Sequence, residues 1–299
     1  MIEEPLRTDV DGTRVTKDVL RVAERVMDTA QSCGVSIPPS SRLAQIYRIF
    51  REMWDLPTRS IRPDHPQFAF ACEGVRDIFQ LDFAIEQLCR PDPPAGFREK
   101  LQAAVDDPVL PQARMDDSAG RDAQCELYVA GICAKAGLSP RFAEPDIQCG
   151  FETLTYSVAV KRIKNLKRFE GRVRAAMEQA VRAGTPGAAL IDLTIALNRA
   201  NAPVISNESD AQYGTRTKAR LSAVAYEHSK KLVEWAKGTT VRGIILLNPI
   251  FGTIGARDGQ WTLRRWRVIF LPLIKIGAGS SRDFQRDFWP AMHLANGTG

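Results

Sequence analysis

Residues 144–165 read EPDIQCGFETLTYSVAVKRIKN. From 154 to 161 the residues alternate. Leu154, Tyr156, Val158 and Val160 share one face; Thr155, Ser157, Ala159 and Lys161 share the other. A period of two is that of a strand, and the large apolar set is its core face. The second set stays small until the lysine. It is expected to leave space on that face, with Lys161 reaching into the opening. Asp146 opens the preceding strand, fifteen residues upstream of that lysine. A hairpin brings the two side by side, either as parts of one site or as ordinary decoration.

The flanks extend the pattern. A helix is expected over 118–135, strand-like pieces at 141–149 and 153–161, and a helix over 164–183 that stops at Gly184. The run GAALIDLT at 187–194 reads as a buried strand. A loop rich in Asn, Ser and Asp follows, then a helix over 216–237, strands near 241–248 and 266–275, and a last helix from Ser281. Helix, strands, helix and strand in this order predict an α/β or α+β sandwich around a mixed sheet. Upstream, Val19, Val22, Ala23, Val26, Met27 and Ala30 recur with the helical period, with Thr16 as the expected cap and Gly34 as the stop. Further helices are expected around Leu43–Trp54, 73–89 and 97–105, separated by Pro-rich segments. The expected organisation is a helical accessory domain over 1–112 and a mixed-sheet domain over 113–299.

Glu126, on the helix before the hairpin, stands at the edge of its buried stripe and is expected to face the sheet. With Glu126, Pro145–Asp146, Lys161 and the helix-strand unit that follows, residues 118–195 resemble the PD-(D/E)XK, or restriction-endonuclease-like, nuclease superfamily. Two other Pro-Asp pairs, at 63–64 and 91–92, are not followed by such a strand. The resemblance implies a restriction-endonuclease-like sandwich and a metal-dependent hydrolase of DNA or RNA. It implies that Asp146, Glu126 and the carbonyl of Val160 hold Mg²⁺ or Mn²⁺. Lys161 then orients the attacking water and offsets charge on the phosphate, and Gln179 bonds to the site from the following helix. The acid that the family has two residues before the lysine is here Ala159, with Glu144 and Glu152 as substitutes within reach.

The chain carries a net charge of +6. From Lys161 to Arg182 there are eight Lys or Arg residues against two acids, Glu170 and Glu178, so this one segment has the same excess. With Leu166, Phe169, Val173, Met177 and Ala180 as the buried stripe, Arg162, Lys164, Lys167, Arg168 and Arg172 are expected on the open face, where they suit a nucleic-acid backbone. The alternative is a solvated helix surface with pairs such as Glu170–Arg174. Six cysteines without a CxxC pair are expected to be free thiols, and three histidines without close partners argue against zinc. His228 lies on an apolar stripe and reads as packed at the edge of the core; Asp192 reads as a strand-end cap or a neighbour of the same rim. No apolar run is long enough to cross a bilayer, and the acidic, polar start is unlike a secretory leader, so a cytoplasmic location is expected. Two other functions remain open: an eroded nuclease fold that only binds nucleic acid, and a module whose N-terminal helices bind a protein partner or a second copy.

Overall fold

A computed structural model describes residues 19–54, 66–107, 118–151, 154–198, 204–206, 208–254 and 263–272. Thr16, the helix expected from Ser281, Glu152 and the Pro63–Asp64 pair lie outside these residues. Five helices come first: α1 (Val19–Ser32), α2 (Arg42–Trp54), α3 (Phe68–Leu88), α4 (Phe97–Asp106) and α5 (Ala119–Lys135). Then follow β1 (Ser139–Ala143), β2 (Asp146–Phe151), β3 (Leu154–Arg162), α6 (Phe169–Arg182), β4 (Gly187–Asp192), the short α7 (Thr194–Leu197), β5 (Val204–Ser206), α8 (Asp210–Ala236), β6 (Val241–Ile254) and β7 (Leu263–Pro272).

The apolar spacing in α1 buries Val19, Val22, Ala23, Val26 and Ala30. Gly34, at φ +80°, lets the Val35 amide turn back to the Ala30 carbonyl at 3.0 Å and closes the helix. Helix α8 starts six residues before the expected 216. Ser209 accepts from the Gln212 amide, and the Gln212 side chain returns to the Ser209 amide, a reciprocal cap that begins the helix at Asp210.

The seven strands form one mixed sheet in the order β1-β2-β3-β4-β6-β5, with β7 also paired to β6. β1 pairs antiparallel to β2, and β2 to β3; β4 pairs parallel to β3, and β6 parallel to β4. A parallel pair needs a crossover, and α6 supplies it between β3 and β4. The fold is therefore α+β, with helices and an open mixed sheet.

Both faces of the sheet are covered. Tyr156, Val158, Val160, Ala188, Leu190, Ile245 and Leu247 pack into one core with α1 to α5. Ala159, Ala189, Ile191, Ile244 and Leu246 pack into a second with Phe169, Val173 and Met177 of α6 and Leu221 and Leu232 of α8. Double coverage explains why β4 reads as a continuous apolar run. It also corrects the expected opening on the second face of β3. Ser157 and Ala159 are fully buried, so α6, not a ligand, fills the space their small side chains leave.

The first core runs without a break across residue 112, because α3 and α4 pack on α5 and α5 packs on the sheet. A side chain on Gly120 of α5 would collide with the Ala103 carbonyl of α4, so that residue permits the close approach. The expectation of free thiols fails at two positions: Cys33 and Cys89, which follow α1 and α3, are disulfide-bonded with Cα atoms 6.6 Å apart. Cys125, Cys133 and Cys149 are free and buried.

Candidate functional site at the rim of the sheet

The hairpin register Ile147↔Val158 brings the start of β2 beside the end of β3. Odd-numbered residues in and just after β3 turn their backbone groups to the β4 side: Ser157 N–H donates to the Pro186 carbonyl and Ile163 N–H to that of Asp192, each at 2.9 Å. The backbone of Val160 therefore faces the β2 side. Its amide donates to Asp146 Oδ2 at 2.7 Å, and its carbonyl points to the same edge. Lys161 Nζ donates to that carboxylate oxygen at 3.2 Å. Asp146 and Lys161 are thus brought together, both partly buried, with side-chain exposures of 14% and 21%.

Glu126 approaches from α5 on the other side of the sheet. It forms an ion pair with Lys100 of α4, Nζ to Oε2 2.5 Å. Burial pushes the Glu126 carboxyl above its ordinary range; Lys100 offsets this only in part, and the Asp146 charge pushes it further up. Burial likewise raises Asp146, against the downward pull of Lys161, the Val160 amide and Lys100. The two ion pairs are separate: among the described residues no hydrogen bond or ion pair joins Lys100–Glu126 to Asp146–Lys161. Lys100 was not foreseen. No local pattern marks a lysine on α4, and only the packing of α4 on α5 brings it here.

The other expected site residues are distributed differently. Ala159, where the family carries an acid, lies under α6. Glu144 is exposed and meets Arg182 at 3.7 Å, so it does not turn inward as a substitute. Gln179 is half-buried on α6, and its Oε1 is buried without a hydrogen-bond partner. Among the described residues no group of three or more His, Cys, Asp or Glu side chains is arranged to hold a metal. Asp192 is buried as a cap: its Oδ1 accepts from the Thr194 amide at 2.9 Å and from the Thr194 hydroxyl at 2.5 Å.

Of the five expected nucleic-acid contacts, Arg162 is turned inward. As an even-numbered residue of β3 it points to the helical side, where it pairs with Asp122 at 2.8 Å and Asp192 at 3.5 Å. Lys164 is half-buried, while Lys167, Arg168 and Arg172 are exposed. Asn165 caps a single 3-10 turn over Leu166–Arg168, so α6 begins at Phe169, and Leu166 is exposed instead of joining the buried stripe. The expected Glu170–Arg174 pair is replaced: Arg174 bonds to Glu178, and Glu170 meets Lys231 at 2.8 Å and His228 Nδ1 at 3.0 Å. His228 stacks on Phe169 with ring centroids 4.6 Å apart, in the packing role expected of it. These contacts join α6 to α8, on which Arg220, Lys230 and Lys237 are exposed and Tyr226 is 75% exposed.

A second polar cluster lies deep in the helical layer. Arg42, fully buried, bonds to Asp77, Gln124 and the Ala104 carbonyl. Arg121 pairs with Glu73 at 2.8 Å and with Asp107 at 3.4 Å. Arg76, Arg121 and Arg162 line a narrow polar cleft with Asp77, Gln80, Gln124, Asp192 and Thr194. Among the described residues no helix is long and apolar enough to cross a membrane. No protein-family model matches the chain, and no curated protein is significantly similar to it.

Proposed function

We propose that this chain is a divalent-metal-dependent nuclease of the PD-(D/E)XK type, hydrolysing phosphodiester bonds of DNA or else of RNA. The observation that carries the reading is the Asp146 carboxylate, held at 2.7 Å by the Val160 amide and at 3.2 Å by Lys161 at the end of β3. The succession α5-β1-β2-β3-α6-β4, with β4 parallel to β3, agrees with the family's core order.

The donor set suits Mg²⁺ or Mn²⁺. Such an ion uses one or two carboxylates and completes its shell with waters and phosphate oxygens. Asp146, Glu126 and the Val160 carbonyl are the donors available, and two desolvated carboxylates with raised pKa are groups whose charged forms a cation relieves. When bound, the ion supplies Lewis acidity and a water of lowered pKa. Lys161 carries its ammonium on the same rim, where it orients a water and offsets negative charge growing on a phosphate. Lys167, Arg168 and Arg172 hold the polymer by its backbone, without reading sequence.

One observation favours a second reading, an eroded site that binds nucleic acid without cutting it. The third acid is replaced by Ala159, which is fully buried, and among the described residues no other acid takes its place. Cleavage of plasmid and single-stranded substrates with Mg²⁺ and Mn²⁺ decides between them. On the nuclease reading, Asp146→Asn and Lys161→Ala each lower the rate at least about a hundredfold while leaving binding in a mobility-shift assay intact. Retained binding with no cleavage by the wild type selects the eroded fold. Alanine at Lys167, Arg168 and Arg172 together weakens binding across sequences and lowers the salt slope by about one for each phosphate no longer neutralised. No binding even at low salt removes both readings and leaves a protein-interaction role for the N-terminal helices.

A further inference from the structure

We infer that Cys133 of α5 and Cys149 of β2 form a latent redox pair, which a small disulfide oxidant closes into a second disulfide that staples the helical layer to the sheet. The inference stands apart from the metal-dependent reading above and uses none of its residues.

The strand register places the two thiols together. Cys149 pairs with Tyr156 across the hairpin and Ile147 with Val158, so these four side chains share the face that meets the helices. α5 packs on β2 at that face, and the Cys133 thiol donates a hydrogen bond to Cys149. Sulfur atoms already in hydrogen-bond contact need only a small side-chain rotation to reach the S–S separation of about 2.05 Å. Cys125, a free and buried thiol on the same helix, is placed differently: it lines the polar cleft beside Arg162 and Asp192.

Burial sets the rate. Cys133 and Cys149 are both 0% exposed, whereas Cys89 of the Cys33–Cys89 disulfide is half-buried just past α3. The hydrogen bond to Cys149, together with burial, holds the Cys133 thiol well above its ordinary range, so little of its attacking thiolate exists. An oxidant therefore reacts only when α5 parts from the sheet. One thiol then loses its proton and attacks a sulfur of the small disulfide, releasing one reagent thiol. The second thiol attacks the protein sulfur of this mixed disulfide, closes the Cys133–Cys149 bond and releases the other reagent thiol. The protein dithiol is oxidised, the reagent is reduced, and the two protons leave on its two thiols. The new bond joins α5 to β2 and removes closure entropy from the unfolded chain.

The test exposes the full chain, with Cys33–Cys89 intact, to hydroxyethyl disulfide in increasing urea below the unfolding midpoint. Remaining thiols are alkylated and the peptides mapped by mass spectrometry. The expected product is a Cys133–Cys149 cross-link that forms at least about tenfold faster in urea than without it, with Cys125 still alkylated. The cross-linked protein should melt about 5 °C above the untreated chain. Cys133→Ala and Cys149→Ala should each remove both the product and the gain in melting temperature; the wild-type peptide map decides where a variant fails to fold. Mixed disulfides left on Cys133 or Cys149 without the cross-link, oxidation of Cys125 at the same rate, or no new disulfide at any urea concentration overturns the inference. A cross-link that lowers the melting temperature overturns the staple.

Discussion

Two clusters of opposite charges lie within this molecule, and their chemistry differs. The inner one joins α2, α3, α4 and α5 through arginines. Arg42 and Asp77 are each about 1% exposed, and Arg42 alone reaches a carboxylate, an amide oxygen and a carbonyl. Burial pushes Asp77 up, but Arg42, Arg76 and Arg121 outweigh it and hold its carboxyl below the ordinary range. The rim cluster uses lysines, each meeting one carboxylate, and there burial wins: Asp146 and Glu126 are both raised. A rigid guanidinium fork satisfies several acceptors at once, whereas an ammonium offers a mobile point charge. The inner cluster therefore favours the ionised form of Asp77 in the folded chain. At the rim, burial outweighs the single lysine that each carboxylate meets, so both stay above their ordinary range.

The largest effect is expected from breaking the inner cluster. A carboxylate whose folded pKa lies below its unfolded value stabilises the fold above that value, and this is lost as pH falls through the folded one. Asp77→Asn should cost about 3–5 kcal/mol at neutral pH in urea denaturation, because it leaves Arg42 buried without its charge partner. The deficit should narrow on acidification below pH about 4. A loss under about 1 kcal/mol would reduce the two clusters to one kind.

A conservative exchange sharpens the contrast. Arg121→Lys keeps the charge but loses the fork that meets Glu73 and Asp107, at an expected cost of about 1–3 kcal/mol. At the rim, Lys161→Arg should change stability by less than about 1 kcal/mol. Similar losses at both positions would show that the fork has no special part in the interior.

The smallest effect is one of sign. A carboxylate whose folded pKa is raised stabilises the folded state at low pH, and the contribution is lost as pH rises through that folded pKa. Glu126 is such a group. Glu126→Gln should therefore melt at or above the wild-type temperature at pH 7, and the advantage should vanish below pH about 4. A clear drop in melting temperature at pH 7 would mean that the Lys100 pair outweighs desolvation.

Much of the fold was legible where the signal is local. The stripe of α1, the alternation of β3 and the apolar run of β4 each appear at the expected place, because backbone periodicity and side-chain burial coincide within one element. The start of α8 is also encoded locally, although it differs from the expected one: Ser209 and Gln212 stand at capping-box spacing inside a segment that reads as loop. The Asp146–Lys161 neighbourhood followed from a hairpin, whose register depends on nearby residues. Arg162 differs from Lys161 by one step along a strand, which sends it to the opposite face and into Asp122 and Asp192. That inversion was implicit in the period of two, but its consequence depended on knowing that α5 covers that face.

The faces of the central strands and the hairpin that joins Asp146 to Lys161 depend on residues a few positions apart and were readable from them, whereas the short α7 and β5 were read as loop. Tertiary structure alone decided that α6 would fill the face left by Ser157 and Ala159. It also decided that Cys33 would meet Cys89, and that Lys100 would reach Glu126. Those contacts join residues distant along the chain, and no local propensity encodes them. They arise from the burial of apolar surface on both faces of the sheet, which brings remote polar groups within reach of one another.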